Sequence, residues 1–269
     1  SVQDKSRSKK TLSTIHMQEG RSIDTIFEVE GGISNYSLSK DGKSMYVITS
    51  EWSKEFKNIE DKNSEPMYYE NLPFRFDTRG IIYNKRAHVY KVNIRTKKFS
   101  KIIDGDAKEI ISIESLVEGD RGLVLSFDQY NSKGTMLEEK IGAIEGSKIK
   151  EIYSKGSMGN LFYYEDELHA VGMRKRFDWP TNTTVLKISN TGNVSYKYHS
   201  FDRNIVKAEV NEAILYFLYE DSGKTLLRDG TNNVDLINSD VTIKDFAFNN
   251  EQTFVIANSF SNPDEIYEL

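Results

Sequence analysis

A hairpin pattern that recurs along the chain constrains the fold more than any other feature. Five segments each contain a moderately apolar strand, a short polar turn and a more apolar second strand. They are "ISNYSLSKDGKSMYVIT", "ISIESLVEGDRGLVLSF", "MGNLFYYEDELHAVGM", "IVKAEVNEAILYFLY" and "TIKDFAFNNEQTFVIAN". With Asp41, Asp120, Asp166, Asn211 and Asn250 as turn markers, the intervals are 79, 46, 45 and 39 residues. Three of the four intervals therefore match one repeat length.

A second type of strand pair lies between these hairpins. Examples are "TLSTIHM" with "SIDTIFEV", "HVYKVNI" with "KKFSKII", and "KIGAIEG" with "KIKEIYS". Each period thus carries four strands in roughly 40 to 50 residues, which is typical of a β-propeller blade. We predict an all-β fold, a β-propeller of four-stranded antiparallel blades, with about five blades visible. A β-sandwich or a solenoid is the alternative, but a sandwich gives no reason for strand pairs to keep one order and spacing.

The predicted domain organisation is one propeller domain over residues 1–269. The long first interval is explained by an inserted segment at about residues 53–86, which interrupts the repeat without ending it. Helical periodicity is hard to find, because stretches such as "IIDGDAKEIISIESLVEGD" are cut by Gly and Asp.

Composition and charge exclude several functional classes. The 269 residues include no Cys, so disulfides, thiolate metal sites and a Cys nucleophile are excluded within this chain. The formal net charge is -5 and no basic stripe appears, which argues against nucleic acid as a partner. The first ten residues, "SVQDKSRSKK", are polar, and no stretch has the roughly 20 apolar residues of a membrane span. We therefore expect a cytoplasmic protein without a membrane partner.

Two stretches resemble a known family. "PFRFDTRGIIYNKRAHVYKVNIRTKKFSKI" follows an "S-K-D-G-K" hairpin, and "FVIANSFSNPDEIYEL" ends the sequence. They resemble the propeller of the prolyl oligopeptidase superfamily, in particular its acylaminoacyl-peptidase branch. The positions that carry the resemblance are Phe74 to Asp77, Arg79, Gly80, His88 to Ile94, Thr96, Ser259, Pro263, Glu265, Ile266 and Tyr267. Two departures are Leu38 to Lys43, where the family has Trp-Ser-Pro-Asp-Gly-Lys, and Thr78, where it has Gly.

The resemblance implies a catalytic α/β-hydrolase domain elsewhere in a parent chain. That domain carries Gly-x-Ser-x-Gly followed by Asp and His, and no Gly-x-Ser-x-Gly occurs in these residues. The four histidines, at positions 16, 88, 169 and 199, lie in strand-like contexts, so we interpret them as structural. We predict no catalytic residue, no metal site and no cofactor in this chain. Seven blades are typical of the relatives, so five suggest a truncated ring.

By the same resemblance, the propeller gates access of short peptides to the hydrolase active site. Arg75 and Arg79 are the predicted substrate contacts, because guanidinium groups bind carboxylates and carbonyls in a directed way. Tyr68 and Tyr69 are the predicted flanking surfaces. A competing interpretation is that all four belong to a solvated insertion and that the arginines pair with acids on their own hairpin, at Asp61, Glu65 or Asp77.

Predicted partners follow from the two functions that stay open. In the first, the partners are the C-terminal α/β-hydrolase domain of the parent chain and short peptides. In the second, the chain is a free-standing scaffold for protein interactions, without chemistry of its own. A third possibility, a propeller that is itself a hydrolase, requires turnover by the purified chain. An incomplete ring exposes unpaired blade faces, which makes a homodimer a further hypothesis.

Overall fold

The computed structural model describes residues 12–19, 22–57, 68–76, 80–120, 122–175, 181–198, 201–237, 240–248 and 252–269. Strand accounts for 64% of the structure and helix for 3%, which confirms the all-β prediction. The two described helices are single turns, α1 (Lys54–Lys57) and α2 (Gly105–Lys108). Within the described residues, no helix is long and apolar enough to cross a membrane. The chain divides into two compact units, Ser1–Ser154 and Lys155–Leu269.

The first unit contains a hairpin and two blades. Its strands are β1 (Leu12–Glu19), β2 (Ser22–Glu30), β3 (Gly32–Leu38), β4 (Ser44–Trp52), β5 (Arg75–Phe76), β6 (Gly80–Ile81), β7 (Lys85–Asn93), β8 (Phe99–Ile103), β9 (Ile110–Gly119), β10 (Gly122–Tyr130), β11 (Leu137–Glu145) and β12 (Lys148–Tyr153). The first blade has the order β3-β4-β7-β8, and the second has the order β9-β10-β11-β12. Two-stranded sheets are formed by β1 with β2 and by β5 with β6.

The second unit contains the third, fourth and fifth blades. Its strands are β13 (Ser157–Tyr164), β14 (Glu167–Met173), β15 (Thr184–Ile188), β16 (Val194–Tyr196), β17 (Ile205–Asn211), β18 (Ile214–Asp221), β19 (Lys224–Asp229), β20 (Val234–Asp235), β21 (Thr242–Phe248), β22 (Thr253–Asn258) and β23 (Glu265–Glu268). The orders are β13-β14-β15-β16, β17-β18-β19-β20 and β21-β22-β23. The fifth blade thus has three described strands. All pairings are antiparallel, and all of them join consecutive strands except that of β4 with β7, which are separated by the insertion. The prediction of a propeller with five blades is confirmed.

Strand β4 shows how the apolar sequence produces stacked blades. It is buried on both faces, because successive side chains of a strand point to opposite sides of its sheet. Tyr46 and Ile48 pack against the second blade, with Ile113 and Phe127 among their neighbours. Met45 and Val47 face the other way, toward the β1–β2 hairpin. Full burial of each such side chain contributes about 1.5 to 3 kcal/mol, so stacking stabilises each sheet from both sides.

The second unit is built by the same rule. One cluster joins the third and fourth blades, with Phe162 and Val185 on one side and Ile205 and Phe217 on the other. A second cluster joins the fourth and fifth blades through residues of β18, β19, β21 and β22. The repeat found in the sequence therefore corresponds to blades that bury their apolar faces on each other.

The polar turn of the first hairpin has the geometry that its sequence predicts. The Asp41 carboxylate accepts hydrogen bonds from the Ser39 hydroxyl at 2.7 Å and from the Lys43 backbone N–H at 3.0 Å. Gly42 has a φ of +67°, a region that favours glycine. These hydrogen bonds hold the pKa of Asp41 below its usual range, the Ser39 bond contributing most. "S-K-D-G-K" is thus a tight turn between β3 and β4.

Candidate functional site

The inserted segment between β4 and β7 is fastened to the neighbouring blade. The backbone N–H of Leu72 donates to the carbonyl of Gly134 at 2.7 Å, in the turn between β10 and β11. The Tyr130 hydroxyl, at the end of β10, donates to the carbonyl of Pro73 at 2.7 Å. The insertion therefore crosses from the first blade to the second. We call this end of the two blades the insertion face; it comprises residues 53–57, 68–76, 80–84, 104–108 and 130–135.

An aromatic cluster gives the insertion a small core of its own. The ring of Tyr69 stacks on that of Phe74 with centroids 4.5 Å apart, and it meets the edge of Tyr83 at 5.5 Å. Tyr83 also contacts Phe56 of α1 at 6.1 Å and Tyr130 of the second blade at 6.3 Å. Burial raises the pKa of Tyr130 to about 12 and also raises that of Tyr83. These phenols are therefore neutral hydrogen-bonding groups at physiological pH.

The structure separates the predicted site residues from one another. Tyr68 is 81% exposed, whereas the adjacent Tyr69 is half-buried in the aromatic cluster. Arg75 lies on β5, where its backbone pairs with Ile81 and its side chain is exposed. Its guanidinium makes no ion pair or hydrogen bond with any residue that the structure describes. Arg79 lies outside the described residues, as do Asp61, Glu65 and Asp77. The substrate-binding roles therefore stay predictions.

A charged cluster at the same face was not found from the sequence. The Nδ1 atom of buried His88, on β7, accepts a hydrogen bond from the Gly105 backbone N–H at 3.0 Å. The Lys101 ammonium lies 3.1 Å from the same nitrogen, and Asp104 Oδ1 lies 3.3 Å from it. Asp104 also caps α2 by accepting from the Asp106 N–H at 3.3 Å. No spacing motif signals this cluster, because it joins the middle of β7 to the β8–α2 connection.

Lys54 of α1 also contacts this charged cluster. The Lys54 backbone N–H donates to Asp106 Oδ1 at 3.1 Å, and the Lys54 ammonium lies 3.5 Å from Asp104 Oδ2. Lys101 and Lys54 hold the pKa of Asp104 below its usual value, against the opposing effect of its burial. The network therefore connects α1, α2 and β7 at one end of the first blade.

Three side chains of this cluster carry groups that can bind a metal ion. Ligand atoms of His88, Asp104 and Asp106 all lie within 4.8 Å of one another. A metal ligand nitrogen must offer its lone pair, and the Nδ1 lone pair already accepts the Gly105 N–H. Burial first, and then the Lys101 charge, lowers the pKa of His88, so the imidazole is neutral and acts as the acceptor. The geometry fits a structural charge network with a lysine as its cation.

The histidines stand in strands, as predicted, wherever the structure describes them. His16 lies on β1, His88 on β7 and His169 on β14, while His199 lies outside the described residues. His169 is held by the Glu167 carbonyl and by the rings of Phe162 and Tyr164. Among the described hydrogen-bond partners of these three histidines there is no serine hydroxyl. His88 and His169 are buried, whereas His16 is exposed.

The blades define the class of fold as a β-propeller, and comparison with solved structures gives its neighbours. No family model and no curated protein matches the sequence. The structure is similar to an acylaminoacyl peptidase from Pyrococcus horikoshii, with a TM-score of 0.69 and 13% identity, over 92% of this chain and 38% of that one. It is also similar to the β-propeller domain of the Trilobed protease from Pyrococcus furiosus, with a TM-score of 0.62 and 11% identity, over 92% of this chain and 67% of that one.

A third neighbour is a puromycin-hydrolyzing peptidase from Mycobacterium tuberculosis. It matches with a TM-score of 0.59 and 11% identity, over 96% of this chain and 43% of that one. The neighbours are β-propeller domains of acylaminoacyl-peptidase and prolyl-oligopeptidase-family proteins, which confirms the recognised resemblance at the level of the fold. The chain spans 38% of the length of the first peptidase it matches.

Proposed function

We propose that this chain is the non-catalytic propeller of an acylaminoacyl-peptidase-like serine peptidase, and that it admits short peptides to a C-terminal hydrolase domain. The observation that carries the proposal is the likeness to acylaminoacyl peptidase over 92% of this chain but 38% of that enzyme. The part that is matched is a propeller, and the sequence contains no Gly-x-Ser-x-Gly nucleophile elbow. Catalysis accordingly belongs to another part of the parent protein.

The insertion face supports a role in contacting peptides. Arg75 and Tyr68 are exposed there on a segment whose base is fixed by the aromatic cluster and by the second blade. A guanidinium held on a fixed backbone binds a peptide carboxylate with two directed hydrogen bonds. We assign Arg75 and Arg79 to the peptide carboxylate or acyl carbonyl, and Tyr68 to the flanking apolar side chain. Tyr69 is the second flanking surface, and its ring is held in the aromatic cluster by Phe74 and Tyr83.

The first test is the reading frame beyond Leu269. A Gly-x-Ser-x-Gly elbow followed by Asp and His supports the peptidase assignment. A stop codon directly after Leu269 contradicts it and favours the free-standing interaction scaffold. If the hydrolase domain is encoded, the parent protein is expected to cleave short acylated peptides and to leave the same sequence uncut within a folded protein. Cleavage of the folded protein at a similar rate contradicts gating.

The second test measures the role of Arg75 in that parent protein. Arg75→Ala is expected to raise KM for short peptides about tenfold with little change in kcat, because a charged hydrogen bond contributes about 1.5 to 3 kcal/mol. The matched control is Arg95→Ala, which removes an exposed arginine from the turn between β7 and β8, away from the insertion face. Equal KM values for the two variants would contradict the assignment of Arg75 to the peptide. That result would leave the proposal that the propeller gates peptide access unaffected.

A further inference from the structure

We propose that His88 is a proton-operated latch, which holds α1 against the first blade while its imidazole is neutral and releases α1 when the imidazole takes up a proton. Strand β4 passes into the insertion through α1, so the latch controls how the insertion is attached to the blade that it leaves. The inference concerns the first unit alone and does not depend on the proposed peptidase function.

The imidazole and α2 are joined by a hydrogen bond that exists only when Nδ1 carries no proton. His88 is 1% exposed, and its Nδ1 atom accepts the N–H of Gly105, the first amide of α2, at 3.0 Å. A protonated imidazole carries a hydrogen on both ring nitrogens and offers no lone pair. Protonation therefore sets two donors, the Gly105 N–H and the Nδ1–H, against each other. The buried amide loses its acceptor, which is unfavourable.

A second contact of α2 competes for the same proton. Oδ1 of Asp104 accepts the Asp106 N–H at 3.3 Å and thereby caps α2, and the same oxygen lies 3.3 Å from Nδ1 of His88. A new Nδ1–H beside a carboxylate oxygen forms a charge-assisted hydrogen bond. That bond draws Asp104 Oδ1 away from the Asp106 N–H. The proton therefore acts on both amides that fix the start of α2.

The effect reaches α1 through two carboxylates of the α2 segment. Asp106 Oδ1 accepts the N–H of Lys54, the first amide of α1, at 3.1 Å, and Asp104 Oδ2 lies 3.5 Å from the Lys54 ammonium. A shift of the α2 segment therefore removes both contacts from α1 together. The Ser53 N–H donates separately to the Asn84 carbonyl at 2.8 Å, so the end of β4 is held by a contact that does not involve the imidazole.

Charged groups of the neighbouring elements set the pH at which the latch opens. Burial lowers the pKa of His88 most, and the ammonium of Lys101 on β8, 3.1 Å from Nδ1, lowers it further. Glu51 of β4 and the α2-segment acids Asp104 and Asp106 raise it, and the net result is a pKa below the usual 6.5. The released imidazole binds its proton more readily than the buried one. Acid therefore favours the open state, by up to about tenfold per pH unit below about 6.5.

The test follows α1 with a spin label. The chain has no Cys, so Glu55→Cys places a single nitroxide at an exposed position of α1. Ser147→Cys places one in the turn between β11 and β12 as a reference. We expect the electron paramagnetic resonance spectrum of the α1 label to become reversibly more mobile between about pH 7 and pH 5. The mobile fraction should rise by up to about tenfold per pH unit, while the reference label does not change.

Three variants of the labelled chain test whether His88 takes up the proton. His88→Asn keeps an acceptor oxygen near the position of Nδ1 but does not titrate, so the response of the α1 label should disappear. His16→Asn replaces an exposed histidine of β1 in the same unit and is the matched control, which should respond like the unmodified chain. Lys101→Met removes the charge that opposes protonation, so the midpoint of the response should move to higher pH.

Three results overturn the proposal. One is an α1 label whose mobility does not change down to about pH 5. Another is an equal pH response in His88→Asn and in the unmodified chain. The third is a change of both labels together, because the unit then unfolds as a whole. If His88→Asn does not fold, Lys101→Met decides: a midpoint at higher pH supports the latch, and an unmoved midpoint contradicts it.

Discussion

The backbone N–H of Gly105 donates to Nδ1 of His88 at 3.0 Å, so the first turn of α2 rests directly on β7. A Cβ at position 105 would lie 1.9 Å from the carbonyl oxygen of Ala87. This clash is with the backbone, so it could be relieved only by moving one of the two strands of chain. Only glycine fits at position 105, because any side chain would collide with Ala87. The same contact makes Nδ1 of the buried His88 a hydrogen-bond acceptor.

Gly105→Ala is expected to destabilise the first unit by about 1 to 3 kcal/mol, the usual cost of overpacking. The free energy of unfolding is measured by urea denaturation. Gly159→Ala is the matched control, because nothing lies within 4 Å of a Cβ at that position and its φ is not positive. Equal free energies of unfolding for the two variants would contradict the requirement for glycine at position 105.

The acid sensitivity of the second unit is expected to depend on His169. Its Nδ1–H donates to the Glu167 carbonyl at 2.9 Å, while its buried Nε2 has no described partner. Burial lowers the pKa of His169, with Lys197 and Lys187 acting in the same direction and Glu167 opposing. Because the unfolded chain binds this proton more readily, the free energy of unfolding is expected to fall as the pH drops below about 6.5.

His169→Gln keeps an N–H donor and removes the titration. The dependence of unfolding free energy on pH between about 7 and 5 should therefore become shallower, by at most about 1.4 kcal/mol per pH unit for one proton. Urea denaturation at several pH values measures the slope. The comparison at pH 8, where the imidazole is neutral in both states, gives the cost of the substitution itself. An unchanged slope would show that His169 does not take up the proton on unfolding.

Adjacent tyrosines of the insertion are expected to respond differently to truncation. Tyr69→Ala removes a stacked ring from the aromatic cluster and should cost about 1 to 3 kcal/mol, with faster proteolysis of the insertion. Tyr68→Ala changes a side chain that is 81% exposed and should alter stability by less than about 0.5 kcal/mol. Limited proteolysis and urea denaturation of both variants provide the measurement. A larger loss of stability in Tyr68→Ala than in Tyr69→Ala would contradict the role of Tyr69 in the aromatic cluster.

The hydroxyl of Tyr130 is expected to hold the insertion against the second blade. Tyr130→Phe leaves the ring in place and removes the hydrogen bond to the Pro73 carbonyl, at a cost of about 1 kcal/mol. Hydrogen exchange should show faster opening near residues 68–76 while the blade strands keep their protection. Tyr68→Phe, which removes an exposed hydroxyl, is the control, and equal exchange in the two variants would exclude this role.

The regular part of the fold was predictable because its signal is local and repeated. The apolar run of β4 and the Asp41–Gly42 turn identify one hairpin, and the same pattern at four further positions identifies the blades. The charged cluster was not predictable, since His88 and Asp104 meet only after β7 and β8 pair in one register. Tyr68 and Tyr69 look equivalent in sequence, and only the position of Phe74 separates a core ring from an exposed one.

The insertion leaves the first blade and is anchored on the second, through the hydrogen bonds of Leu72 and Tyr130. At the opposite end, the Lys40 backbone N–H and the Tyr46 hydroxyl each donate a hydrogen bond of 2.9 Å to the Glu118 carboxylate of the second blade. The two sheets are therefore joined at both ends, and loosening one end leaves the contacts of the other in place. Separation of the two blades is accordingly expected to require the loss of both sets of contacts.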